Sequence, residues 1–131
     1  MKTKKMAILC EEDILLVRQF VRSMAADMMF RLVDQTRLVT AVSELTRNAL
    51  QYAGAGEIRI KAVKRGEKKG LKIVALDKGP GIDDIEKAMT MGFTTSKGLG
   101  AGLPGTRQLV DEFDIQSSGN NTTATIIMWK R

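Results

Sequence analysis

Glu44-Leu45-Thr46-Arg47-Asn48 is the stretch from which the rest of this sequence can be read. It lies in a segment, roughly 35 to 53, whose apolar residues recur at helical spacing. Wound at about 100° per residue, Leu38, Val42, Leu45, Ala49, Tyr52 and Ala53 form one buried stripe. Glu44 and Asn48 are four apart, so they stack on one helix face at the border of that stripe. A carboxylate accepts a proton, and a carboxamide oxygen ligates a hard cation such as Mg²⁺. On a helix taken alone, the two are ordinary solvated residues. What gives them weight is downstream: Asp77-Lys78-Gly79-Pro80-Gly81 and Gly98-Leu99-Gly100-Ala101-Gly102.

Working outward, Asp34 suits the N-cap of this helix, and Gly54 and Gly56 end it. Upstream, Met6 to Cys10 is a short apolar run that predicts a first strand. Glu11, Glu12 and Asp13 then place negative charge at a helix start, where the macrodipole favours it. Ile14, Val17, Val21, Met24 and Met28 follow at three- and four-residue spacing, predicting an amphipathic helix over 12–29. Downstream, Glu57 to Val63 alternates, with Ile58, Ile60 and Ala62 on the dry face. A turn over 65–70 leads into a more apolar strand, Leu71 to Leu76, and the two form a hairpin.

Asp77 stands where that strand ends, and Pro80 with two glycines forces a loop. Residues 83–91 read as a short helix and 92–102 as a glycine-rich loop. Pro104 fits the first turn of a further helix running to about Glu112. Two strands close the chain, Phe113 to Ser117 and Thr122 to Trp129. Strands arrive in adjacent pairs, not in strict alternation with helices. This predicts a two-layer α/β (α+β) sandwich, a mixed sheet with helices on one face, in a single domain over 1–131.

The 131 residues suffice for one real core, and 44% hydrophobic with 27% charged residues is ordinary for a globular protein. The net charge is +6, yet the basic residues do not form one block. Only Lys2, Lys4, Lys5 and the 64–72 stretch are dense, and the latter reads as a solvated hairpin edge. The pattern points away from nucleic acid; a basic surface also suits a nucleotide or an acidic partner protein. Cys10 is the only cysteine and histidine is absent, which excludes a disulfide, a Ser-His-Asp triad and a His metal site within this sequence. No apolar run reaches membrane length and no apolar signal core opens the sequence, so a cytoplasmic protein is expected.

Gly100-Ala101-Gly102-Leu103-Pro104-Gly105 matches G-x-G-x-x-G, but a dinucleotide fingerprint must follow a strand directly, and here a loop precedes it. The glycines still let backbone N–H groups approach oxygens, and the helix near Pro104 offers its positive end to an anion. Asp77-x-Gly79-x-Gly81 is either a tight turn or an acceptor for an exocyclic amine beside a flat ring. Thr122 is either a plain strand residue or a hydroxyl for the same pocket.

Glu44-x-x-x-Asn48, Asp77-x-Gly79-x-Gly81 and Gly98-x-Gly100-x-Gly102, in this order and spacing, resemble the N, G1 and G2 boxes of the GHKL ATPases, the superfamily of gyrase, Hsp90, histidine kinases and MutL. The likeness runs from about residue 35 to the end. Within the superfamily, Ser43 to Asn48, Tyr52-Ala53-Gly54, Gly92 to Ser96 and Gly98 to Gly105 most resemble the compact anti-sigma-factor serine/threonine kinases, in particular the RsbT-type switch kinases of the stressosome.

The resemblance implies a Bergerat ATP-binding fold with a lid over about 83–102. It implies ATP and Mg²⁺ as cofactors, and transfer of phosphate to serine or threonine on STAS-domain proteins. After release, such kinases bind and activate a PP2C-type phosphatase. Carried onto this sequence, it makes Glu44 the general base and Asn48 the Mg²⁺ ligand. Asp77 reads the adenine amine and Thr122 joins it. Gly79 and Gly81 shape the base pocket, and Gly98, Gly100 and Gly102 serve the lid. Asn121 stands where the family usually has glycine, and Lys97 where a small residue is expected. The alternative within the same resemblance is an anti-sigma factor that sequesters a sigma subunit, with ATP governing partner choice.

Overall fold

Two helices and a hairpin of strands establish the architecture before the site is reached. The computed structural model describes residues 3–78, 102–118 and 121–131. Strand β1 (Lys4–Ile8) leads to helices α1 (Glu11–Asp27) and α2 (Leu32–Ala53). Strands β2 (Gly56–Arg65) and β3 (Lys68–Asp77) follow, then helix α3 (Gly102–Leu109) and strands β4 (Glu112–Ser118) and β5 (Asn121–Trp129). The helix expected over 83–91 and all of the lid but Gly102 lie outside the described residues. The last helix spans Gly102–Leu109, beginning before Pro104 and stopping short of Glu112.

The two-layer sandwich is as expected, but the sheet is not mixed. Its order is β1-β2-β3-β5-β4, and every neighbouring pair is antiparallel. The reason is the helix pair. One helix between β1 and β2 would return the chain for a parallel pairing; two bring it back to the end it left, so β2 runs against β1. The cross-strand register stacks the apolar side chains in rows. Met6, Ile58, Ala75, Ala124 and Ile115 lie across one row, and Ile60, Ile73, Ile126 and Phe113 across the next. Ile58, Ile60, Ile73 and Ile126 are fully buried beneath Val17, Val21, Leu38 and Val42 of the helices. Each such side chain contributes about 1.5–3 kcal/mol by leaving water.

Local chemistry sets the helix ends. Asp13 accepts backbone N–H groups from Leu9 at 2.8 Å and Cys10 at 3.2 Å, and the Leu9 amide foremost holds its carboxyl below the usual range. Asp34 is not the N-cap of α2; Arg31 is, and Asp34 is the third helical residue. Aspartate is favoured at both places, but here the Arg31 guanidinium donates to its Oδ2 at 2.9 Å and draws the carboxylate inside, 1% exposed. At the other end Gly54 adopts left-handed backbone, φ 77°, and its N–H closes on the Leu50 carbonyl. Among the described residues no helix is long and apolar enough to cross a membrane.

Candidate functional site

The expected stripe on α2 buries Leu38, Val42, Leu45 and Ala49. Tyr52 departs from it: near the helix end the ring reaches solvent and is 40% exposed. Glu44, Arg47 and Asn48 line the border, all half-buried. Arg47 donates from Nη1 to Glu44 Oε1 at 2.9 Å, and among the described residues Glu44 Oε2 has no partner. The hydroxyls on the inner side are committed to their own helix. Ser43 Oγ donates to the Val39 carbonyl at 2.7 Å, and Thr46 Oγ1 lies 2.9 Å from the carbonyls of both Val42 and Ser43. The groups left for chemistry on this face are therefore a carboxylate with a spare oxygen and a carboxamide one turn away.

Gly56 decides what stands opposite them. A Cβ built there would meet Ala49 Cβ at 2.9 Å and the Leu76 carbonyl oxygen at 2.8 Å. With no side chain in the way, α2 settles against the end of β3 one residue past Asn48. That strand ends at Asp77, which pairs with Thr122 on β5, which in turn pairs with Ser117 on β4. All three share the helix-facing parity of the core rows, so the sheet ends on the helix side in a polar row. Thr122 Oγ1 and Ser117 Oγ are 3.1 Å apart and share a hydrogen bond.

The structure thus brings Ala49, and with it the neighbouring Asn48, to the strand end where Asp77 pairs with Thr122, and Glu44 stands one turn earlier on the same helix. Gly102 opens α3, which packs on α2. Gly79, Gly81, Gly98 and Gly100 lie outside the described residues. Ser117 belongs to the polar row and the sequence reading passed over it. Its signal was present: it follows Phe113 and Ile115 at period two, and a two-residue hairpin places it against Thr122. Thr106, fully buried on α3 beside α2, carried no such signal.

Comparison with known proteins agrees with this fold. Residues 33–131 match the family model for histidine kinase-, DNA gyrase B- and HSP90-like ATPases. The chain is 52% identical over 125 residues to the serine/threonine-protein kinase RsbT of Bacillus subtilis (strain 168), covering 95% of this chain and 94% of that one. It is 33% identical over 112 residues to the anti-sigma F factor of Thermoanaerobacter sp. (strain X514), covering 81% and 77%. Its fold superposes on a crystal structure of RsbU and RsbW domains from Mycobacterium tuberculosis with a TM-score of 0.71 at 19% identity, over 100% of this chain and 33% of that one. The chain thus spans about a third of that larger protein.

Proposed function

We propose, from the premise that this chain belongs to the histidine kinase-, DNA gyrase B- and HSP90-like ATPase family, that its site binds Mg-ATP between α2 and the ends of β3 and β5 and passes the terminal phosphoryl group to a protein hydroxyl. The chain is a serine/threonine-protein kinase of the partner-switching kind, alike to RsbT over nearly its whole length. It acts as a single kinase domain over 1–131, in the cytoplasm. Its substrates are serines or threonines of STAS-domain proteins, and once released from them it binds and activates a PP2C-type phosphatase.

What supports the reading is the spacing of Glu44 and Asn48, one helical turn apart, on the helix whose Ala49 meets the strand end that bears Asp77. Phosphoryl transfer needs positioning and charge neutralisation more than covalent chemistry. The Glu44 carboxylate holds and takes the proton of the acceptor hydroxyl through Oε2, while Arg47 steadies its Oε1. Asn48 offers one hard oxygen at a half-buried edge, which is what Mg²⁺ draws from a protein when phosphates and water fill the rest of its shell. The ion supplies neutralisation of phosphate charge. Asp77 accepts the exocyclic amine of adenine, and the Thr122 hydroxyl, shared with Ser117, sits next to it. Gly79 and Gly81 give room to the base, and Gly98, Gly100 and Gly102 supply lid backbone to the phosphates.

The test is incubation with γ-labelled ATP, Mg²⁺ and a STAS-domain protein from the same genome, with Glu44→Ala alongside. Label on a serine or threonine, slowed about 10²–10⁴-fold in the variant, is the expected outcome. Tight ATP binding without label, together with a sigma-factor complex, would replace this reading with the sequestering one.

A further inference from the structure

The β2–β3 hairpin carries most of the net charge of the chain. Between residues 61 and 72 stand six cations, Lys61, Lys64, Arg65, Lys68, Lys69 and Lys72, against one carboxylate, Glu67. That accounts for five of the six net positive charges. The register makes the arrangement costly. Lys61 opposes Lys72, Lys64 opposes Lys69, and Arg65 opposes Lys68, so each cation directly faces another. Like charges directly opposite on a sheet repel and destabilise it. Among the described residues only Arg65 has an acidic partner, Glu112, and all but Lys72 are exposed.

Edge protection explains part of this. Among the described residues β1 reaches only to Ile60, which leaves the edge of β2 open from Lys61 onward, where lysines discourage stray strand pairing. It does not explain Lys72, which lies on β3 with β2 on one side and Ile127 of β5 on the other. Nor does it call for a cation opposite each one on β2. A self-repelling set kept at a cost to the fold fits a surface that is neutralised from outside.

We propose that the β2–β3 hairpin is a docking arm for an acidic surface on a protein partner: two charged rungs, Lys61 with Lys72 and Arg65 with Lys68, stand on its outer face about 13 Å apart along the strand, and the third, Lys64 with Lys69, lies between them on the other face. This rests on the reading that the chain works by switching between protein partners. The ribbon argues against the other polyanions. Between 61 and 72 there is no aromatic side chain to stack on a base and no amide to read adenine, so the cations would have only guanine edges and phosphates to meet, which the duplex arm of the experiment tests. Its turn is Gly66-Glu67, a carboxylate without an apolar residue to enter a lipid surface.

The experiment compares the wild type with the combined variant Lys61→Gln, Lys64→Gln, Lys69→Gln and Lys72→Gln. Arg65 and Lys68 stay, because both lie over the Trp129 ring. Binding to the STAS-domain substrate, to the phosphatase and to a short DNA duplex is measured at low and high salt, with melting temperature alongside. The variant should melt no lower than the wild type, since repulsion is relieved. Its affinity for at least one protein partner should fall about tenfold or more at low salt, with the difference closing as salt rises. Partner binding indifferent to the four lysines overturns the proposal alone, as does a variant that melts lower. Tighter wild-type binding to the duplex than to either protein overturns it in favour of nucleic acid. A wild type that binds neither protein sinks the partner-switching reading and this proposal with it.

Discussion

The β3–β5 ladder ends in two different ways. At one end Gly70 pairs with Trp129, and both carboxylates around that ring have cationic partners. Asp111 accepts the Trp129 backbone N–H at 2.7 Å and the Arg131 guanidinium. Glu112 accepts the indole Nε1–H at 2.7 Å and Arg65 at 2.7 and 3.3 Å, while the Arg65 guanidinium stacks 4.8 Å over the ring. At the other end Asp77 pairs with Thr122, and α2 brings up Glu44, which has one hydrogen bond and one spare oxygen among the described residues. Charges saturated with partners hold a fold together. A carboxylate left with an open valence at the lip of a junction is available to a substrate.

The contrast breaks if changes at the two ends have the same consequences. The largest expected effect is at the open end. Glu44→Ala slows transfer by about 10²–10⁴-fold and leaves the melting temperature where it was. Calorimetry on Asn48→Ala should find that Mg²⁺ no longer strengthens ATP binding; unchanged affinity would remove Asn48 from the ligand role. At the saturated end Trp129→Ala should cost about 3–5 kcal/mol in a denaturant titration, because a ring only 7% exposed is lost and two carboxylates lose a donor or a cover. The folded fraction should still transfer phosphate at the normal rate.

Thr122→Val is subtler. It removes one hydroxyl from the polar row, so nucleotide affinity should drop by the worth of a hydrogen bond, about 0.5–1.5 kcal/mol. Stability should hardly move, since the Ser117 hydroxyl keeps the Asn121 carbonyl at 3.3 Å.

The smallest effect is in acid. The Arg131 guanidinium holds the Asp111 carboxyl below its usual range, and Arg65, with the Trp129 indole, does the same for Glu112. A carboxylate depressed in the folded state stabilises it above the unfolded value, about pH 4, and that contribution fades as pH falls through the folded value. Melting temperature should therefore decline below about pH 4, and Asp111→Asn should flatten part of that slope. An unaltered slope would mean the pair contributes nothing.

How much of this could be read in advance differs residue by residue. Leu38, Val42, Leu45 and Ala49 were legible because a helix against a sheet repeats its burial every three or four residues. Tyr52 was not, since the period does not say where the sheet beneath runs out. Asp34 was misplaced because the preference for aspartate at a helix start does not separate the cap from the first turn; the Arg31 contact does. Strands β2 to β5 extend beyond the apolar runs that announced them, because backbone pairing continues through Lys64, Lys68 and Asn121 whatever their side chains, whereas β1 is displaced to Lys4–Ile8 from the expected Met6 to Cys10, since Asp13 takes the Leu9 and Cys10 amides for the helix start. The antiparallel pairing of β1 with β2 follows from the two helices between them, both of which the apolar spacing announces, so a mixed sheet was not required there. Arg65 and Glu112, 47 positions apart, had no local signature. Of the site, the α2 pair was legible from spacing, Thr122 was set with Asp77 by resemblance, and the β3–β5 register is what puts the two directly opposite each other.

Gly56 has a further consequence, for genetics. The helix that bears Glu44 and Asn48 is keyed to the sheet at a point where even one methyl group has no room, bounded by a carbonyl and an alanine that cannot swing aside. An alanine codon at 56 would act as a wedge: it would leave each candidate active residue intact and tilt the shelf on which two of them stand. Codon 56 is therefore where a screen for temperature-conditional alleles should look first, and partial revertants should arise at Ala49, where a glycine removes the side-chain half of the clash and leaves the Leu76 carbonyl.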